Sequence, residues 1–276
     1  MSLLYLTKRM EFSSSHFYFH PGRKPEENVR AFGKEARTHG HNYLLELTLE
    51  GEVDPLTGMV INTVDLKEMM QDLLVDFDHK HLNLDTPYFK EQSPTTDHLA
   101  QTLGELFQKA FPKVRLSRVR LFENEGLFSD FTPKPSPPAP GREMILATRT
   151  YRFSAAHRLH TPKLSDEENL KIYGKCNNPN SHGHNYVLDV TLKGKAGEKP
   201  KQIEDLDRFD GMIRKEVSDR YDHYYLDRDF EEFKNSPSTA ENILVVIWNR
   251  LVPLLSGRLY KLKLVETRDN YFEYFG

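Results

Sequence analysis

His39-Gly40-His41 and His182-Gly183-His184 repeat one motif in a chain of 276 residues. Residues i and i+2 of a strand point to the same side, about 6.5 to 7 Å apart, so each motif aims two imidazoles at one spot with only a glycine between them. A third imidazole stands upstream, where Phe153, Ala155 and His157 share a strand face, as do Phe12, Ser14 and His16 in the other copy. Three nitrogen donors without a fourth protein ligand leave an open coordination position, the arrangement of a catalytic zinc rather than a structural one. Zn2+ suits nitrogen donors and non-redox chemistry, although iron and nickel fit the same donor set. A single His-x-His pair is commonly two polar residues at a strand end. Its duplication with the same third histidine favours a metal.

Other residue types near these motifs could move protons. Cys176 lies in Tyr173-Gly-Lys-Cys-Asn-Asn-Pro-Asn-Ser-His182, a polar loop leading into the metal strand beside Lys175. A lone cysteine is most often an inert buried hydrophobe. A polar, cationic loop instead lowers a thiol pKa and keeps the sulfur accessible. Asp222-His223 supplies a possible second relay, the carboxylate orienting the imidazole; alone it reads as a surface turn, but it recurs as Asp78-His79. Glu266, inward-facing on a late strand, could accept two parallel hydrogen bonds from an amidine-like edge, or be an ordinary strand-end carboxylate.

These recurrences belong to a repeat of the whole chain. Glu11-Phe-Ser-Ser-Ser-His16 returns as Arg152-Phe-Ser-Ala-Ala-His157, 141 residues on, and Phe32-Gly-Lys34 as Tyr173-Gly-Lys175. The offset is 143 for the His-Gly-His motif, 144 for Asp-His, and 143 for Ser93-Pro94 against Ser236-Pro237 and for Leu121-Phe-Glu123 against Leu264-Val-Glu266. Residues 1–131 and 144–276 are therefore expected to be two copies of one domain. The proline-rich stretch 132–143 between them favours an extended, semi-rigid spacer.

The elements that must position the histidines follow from periodicity. His41, Tyr43, Leu45, Leu47 and Leu49 alternate with more polar residues, as do His184, Tyr186, Leu188, Val190 and Leu192, a strand pattern with one apolar face. Leu66 to Phe77 and Leu99 to Ala110 carry apolar residues at helical spacing. Ser238-Thr-Ala-Glu241 has capping-box spacing and opens a helix carrying Ile243, Ile247 and Leu251. Tyr260, Leu262, Leu264 and Glu266 then share a strand face. Each half reads β-β-α-α-β-β, an antiparallel sheet covered on one face, of α+β class.

Composition sets outer bounds. Apolar residues at 38% and charged residues at 29% describe a folded chain, and a net charge of −3 argues against a nucleic-acid-coating protein. No apolar run approaches the roughly 20 residues that span a bilayer, so no membrane partner is expected. Met1 to Met10 lacks the marks of a secretory signal. Cys176 as the single cysteine excludes an internal disulfide and points to a reducing compartment, so the expected location is cytoplasmic.

Phe153-Ser-Ala-Ala-His157, Gly174 to Tyr186, Asp222-His223, Pro237 to Asn242 and Val265-Glu-Thr267 together resemble the 6-pyruvoyl tetrahydropterin synthase family, which includes the 6-carboxytetrahydropterin synthases of queuosine biosynthesis. The resemblance covers both halves and implies the tunnelling fold (T-fold). It implies a zinc lyase acting on 7,8-dihydroneopterin triphosphate, with loss of triphosphate. His157, His182 and His184 would hold Zn2+, Cys176 would be the general base, Asp222 and His223 would complete the relay, and Glu266 and Thr239 would bind the substrate. The five residues between Cys176 and His182 resemble the pyruvoyl-forming branch of tetrahydrobiopterin biosynthesis. The alternatives are the carboxy-forming reaction, which releases acetaldehyde, and a non-catalytic pterin- or metal-binding module.

In the first half the resemblance implies a metal on His16, His39 and His41 and a substrate contact at Glu123. Glu35 replaces the thiol, making Glu35, Asp78 and His79 a possible altered base set. Its spacing to His39 departs from that of the family members that carry a glutamate there. Family members build barrels from several units, so a homo-oligomer is implied, a trimer or a dimer of two-unit chains. Exposed edge strands give a physical reason for it.

Overall fold

A computed structural model describes residues 3–53, 56–111, 115–133, 144–194, 202–255 and 257–276. Two compact units emerge, Met1–Ala147 with Lys193–Asp205, and Thr148–Leu192 with Leu206–Gly276. Residues 134–143 of the expected spacer lie outside the described residues.

The first unit contains β1 (Leu3–His16), α1 (Pro25–Phe32), β2 (His39–Glu52), α2 (Thr63–Leu74), β3 (Lys80–His81), α3 (Leu82–Asp85), α4 (Thr96–Ala110), β4 (Leu116–Asn124) and β5 (Leu127–Thr132). The second is built on β6 (Met144–His157), α5 (Asp166–Tyr173), β7 (His182–Lys193), α6 (Gln202–Glu216), α7 (Ser218–Tyr221), β8 (Tyr224–Tyr225), α8 (Leu226–Asp229), α9 (Ala240–Leu251), β9 (Leu259–Val265) and β10 (Tyr271–Tyr274). Strand orders are β5-β4-β2-β1-β3 and β10-β9-β7-β6-β8. Both units are α+β, and the β-β-α-α-β-β frame carries additions that periodicity did not reveal. A two-turn helix, α1 or α5, fills each connection between the first two strands. A two-residue strand, β3 or β8, pairs parallel to β1 or β6.

The alternation along β2 places Tyr43, Leu45, Leu47 and Leu49 in the core with Leu66, Met70, Leu99, Leu103 and Phe107 from the helices. Burying each such side chain contributes roughly 1.5–3 kcal/mol. Gly104 is required where α4 crosses the sheet: a Cβ there would lie 2.4 Å from the Phe131 ring. Tyr186, Leu188, Val190 and Leu192 are the corresponding buried residues of β7.

The expected capping box is displaced by one residue. Thr239, not Ser238, is the N-cap of α9 and accepts from the Asn242 N–H, while Ser238 Oγ donates to Asp227. Leu99 N–H bonds to the Thr95 carbonyl as Ile243 N–H bonds to that of Thr239, so these helix starts correspond at an offset of 144. The like-looking Ser93-Pro94 and Ser236-Pro237 are thus one position out of structural register, since α3 and α8 also stand 144 residues apart and the segments that follow them are equal in length.

Candidate active site

The register of β1 on β2 places His16 opposite His39 and Ser14 opposite His41. Gly40 lets the strands approach at this point, since a Cβ there would lie 3.0 Å from the Ser14 carbonyl oxygen; Gly183 stands 3.1 Å from that of Ala155 in the same way. The three imidazoles converge in each unit. Potential ligand atoms of His16, His39 and His41 lie within 4.8 Å of one another, and so do those of His157, His182 and His184.

Backbone carbonyls orient these rings. His16 Nδ1 is 3.1 Å from the Pro94 oxygen, His39 Nδ1 is 2.7 Å from that of Arg37, and His157 Nδ1 is 2.8 Å from that of Ser238. A ring donating through Nδ1 presents Nε2 as a free lone pair, the tautomer a metal ligand needs. His41 Nε2 and His157 Nε2 are buried and have no hydrogen-bond partner. Burial, together with the neighbouring imidazoles, pushes His16 down to about 3. Burial likewise lowers His157 to about 4, against a carbonyl bond that opposes the shift. Orphaned, neutral imidazole nitrogens facing one point fit a divalent cation with nitrogen affinity.

Cys176 is half-buried in a short 3-10 turn, Gly174–Asn177, and its carbonyl accepts the Leu159 N–H at 2.9 Å. Glu35 occupies the matching place, its carbonyl accepting the Tyr18 N–H at 2.8 Å. The thiol residue is thereby tied to the chain two residues beyond His157. The Glu35 carboxylate reaches His39, with Oε2 2.8 Å from Nε2.

The Asp-His pairs act as backbone clamps. Asp222 accepts the Ser154 N–H at 2.7 Å and pairs with His223 Nδ1 at 2.8 Å, while the His223 N–H returns to the Ser154 carbonyl at 2.6 Å. The Ser154 bond, then His223, holds the Asp222 carboxyl below its usual range. Asp78 and His79 repeat the clamp on Ser13. Both histidines adopt positive φ, 57° at His79 and 62° at His223. His223 is exposed and lines a groove with Ser181, His184, Tyr225 and Arg228. Among the described residues no hydrogen bond joins Cys176 to Asp222 or His223.

Glu123 and Glu266 correspond in sequence but differ in surroundings. Glu123 is 5% exposed; Tyr18 Oη donates to its Oε2 at 3.1 Å, Thr96 Oγ1 donates to the same oxygen, and His41 Nε2 stands 3.5 Å from Oε1. Leu159 stands at the place of Tyr18 and Ala240 at that of Thr96, so neither donor exists in the second unit. The Glu266 carboxylate has His184 Nε2 at 3.8 Å and His157 Nε2 at 4.0 Å as its ion-pair contacts. Burial, then the nearby Glu241, raises its pKa.

Sequence reasoning did not find Tyr18, Thr96 or Asp227, and it gave Ser238 only as a helix cap. The signal for the first two was their replacement by apolar residues in the second copy, legible only in the structural register. Thr239, expected at the substrate, caps α9 through its side chain.

Comparison with known proteins supports the repeat. The family model described as 6-pyruvoyl tetrahydropterin synthase matches residues 5–134 and again 147–276. The 6-pyruvoyl tetrahydrobiopterin synthase of Dictyostelium discoideum is 42% identical over 132 residues, which are 48% of this chain and 96% of that protein. The Homo sapiens protein of the same name is 43% identical over 130 residues, 47% of this chain and 90% of its own. The solved structure of Caenorhabditis elegans 6-pyruvoyl tetrahydropterin synthase covers 48% of this chain and 96% of its own, at 41% identity and a TM-score of 0.45. No helix among the described residues is long and apolar enough to cross a membrane.

Proposed function

The chain belongs to the 6-pyruvoyl tetrahydropterin synthase family, and from that premise we propose that its second unit is a zinc-dependent lyase converting 7,8-dihydroneopterin triphosphate to 6-pyruvoyl tetrahydropterin with loss of triphosphate. The observation that carries the reading is the conjunction, in this unit alone, of an imidazole triad, a cysteine whose carbonyl is bonded to Leu159, two residues beyond His157, and a carboxylate 3.8 Å from His184.

His157, His182 and His184 would hold the zinc, which when bound supplies Lewis acidity toward the substrate's side-chain oxygens. Glu266 accepts the donor edge of the pterin ring and so fixes its position relative to the triad. Cys176 would be the base that removes a proton from the substrate's side-chain carbon. The exposed His223 ring is the proton donor and acceptor of the groove, and Asp222 holds that ring in place. The reading includes a homo-oligomer, a trimer or a dimer of two-unit chains, in which neighbouring chains complete the sites.

The test is incubation of the full chain with 7,8-dihydroneopterin triphosphate and identification of the products by mass. The reading expects 6-pyruvoyl tetrahydropterin and triphosphate, with turnover abolished and zinc content retained in Cys176→Ala. Formation of a 6-carboxy product with acetaldehyde, or no consumption of substrate, overturns it.

A further inference from the structure

Both units aim the most deeply buried imidazole of the triad through a backbone carbonyl, but they hold that carbonyl by different means. In the first unit the carbonyl on His16 Nδ1 belongs to Pro94, whose ring restricts its own backbone. In the second the carbonyl on His157 Nδ1 belongs to Ser238, which lacks that restraint. The fully buried Ser238 hydroxyl instead donates to Asp227 Oδ2 at 2.8 Å. Hydroxyl and carbonyl belong to one residue, so anchoring the first fixes the second.

Asp227 stands where the first unit has Asn83. The Asn83 side chain turns both ends to a single residue, accepting the Phe17 N–H at 3.0 Å and donating to the Phe17 carbonyl at 3.0 Å. A carboxylate has no hydrogen to donate in that way. The Asp227 oxygen that accepts the Arg158 N–H at 2.8 Å takes the Ser238 hydroxyl as well. Arg158 follows His157 directly in the chain, so one carboxylate oxygen grips the surroundings of this histidine from two sides.

We propose that Asp227 is a positioning residue of the second metal centre, holding through Ser238 the carbonyl that directs His157 Nε2 toward the ion. It is not one of the converging donors and acts on the metal only through His157. Supporting partners of this kind are worth about 10- to 100-fold in metal affinity. The proposal rests on the preceding reading only in that a divalent cation fills the triad of His157, His182 and His184.

The test is zinc affinity, measured on the full chain without substrate, by competition with a chromogenic chelator. His39→Ala with His41→Ala isolates the second triad, and His182→Ala with His184→Ala isolates the first. Asp227→Asn should turn its amide to Arg158 as Asn83 does to Phe17, keeping the backbone bond and releasing Ser238. Zinc binding at the second triad then weakens by about tenfold or more, while the first triad stays within about twofold of its starting affinity. Ser238→Ala should give a similar loss, and the two substitutions together no more than either alone, because both break one hydrogen bond. Thermal melting of the metal-free chains reads folding separately and should shift little. An unchanged second triad in either variant, additive losses, an equal loss at the first triad, or metal-free chains that melt well below wild type in both variants overturns the proposal. A chain that shows these losses but forms no product refutes the proposed reaction and leaves the positioning role standing; one whose second triad binds no zinc refutes both.

Discussion

Replacing Glu266 by glutamine keeps the side-chain volume but removes the charge and one acceptor oxygen. Its carboxylate stands 3.8 Å from His184 Nε2 and 4.0 Å from His157 Nε2, with Leu159 and Ala240 where the first unit has hydroxyl donors. Hydrogen bonds to a charged acceptor contribute about 1.5–3 kcal/mol each. Glutamine turns an NH2 toward a donor edge, so at least one bond to the ring is lost, and kcat/KM falls by roughly 10- to 150-fold. Stability should change little, because those protein hydroxyls do not depend on this carboxylate. Glu123→Gln gives the opposite pattern. Tyr18 and Thr96 lose their charged acceptor, which costs about 1.5–3 kcal/mol and lowers the melting temperature by roughly 4–12 °C. Steady-state kinetics with product quantified by chromatography, beside calorimetric melting, reads both quantities. If the two variants lose activity alike, or if Glu266→Gln retains kcat/KM within about twofold of wild type, the assignment of one open and one occupied carboxylate is wrong.

In Gly183→Ala the new Cβ would lie 3.1 Å from the Ala155 carbonyl oxygen, forcing β6 from β7 between two metal-facing histidines; zinc content per chain drops, and full occupancy refutes the argument. Asp222 has a folded pKa lowered by the Ser154 N–H and His223, so its stabilising contribution is present above its unfolded value of about 3.9 and is lost as pH falls through the lower folded value. Urea unfolding of wild type and Asp222→Asn should accordingly converge as pH is lowered from about 6 to about 3, and a constant gap counts against the clamp. Leu47 is fully buried, and Leu47→Ala should lose about 2–5 kcal/mol in denaturant titration, with a loss under about 1 kcal/mol excluding its place in the core.

Much of the arrangement was legible because it is local. The two-residue period of β2 and β7 and the i, i+2 histidines determine which side chains share a face. The repeat then supplies the third histidine and the thiol position by correspondence. The α1 and α5 helices were missed because they are short and polar, with Asn28 and Phe32 the buried residues of α1 and Asn169 that of α5. The N-cap of α9 was misplaced by one because Ser238 and Thr239 are both good caps, and Asp227, distant in sequence, engages Ser238. The closure of Glu123 depends on Tyr18, 105 residues away, and on Thr96, 27 away, and such pairings leave no periodic trace.

The left-handed backbone at His79 and His223 has a consequence for the clamps these residues complete. A residue with a β-carbon in that conformation is disfavoured by roughly 1–2 kcal/mol, and glycine would relieve it. Both halves nonetheless carry an imidazole there, exposed and paired through Nδ1 with the preceding aspartate. Glycine would relax the backbone but forfeit the ring contact with Asp222 or Asp78, so one residue in each half sets a local strain against the clamp it completes.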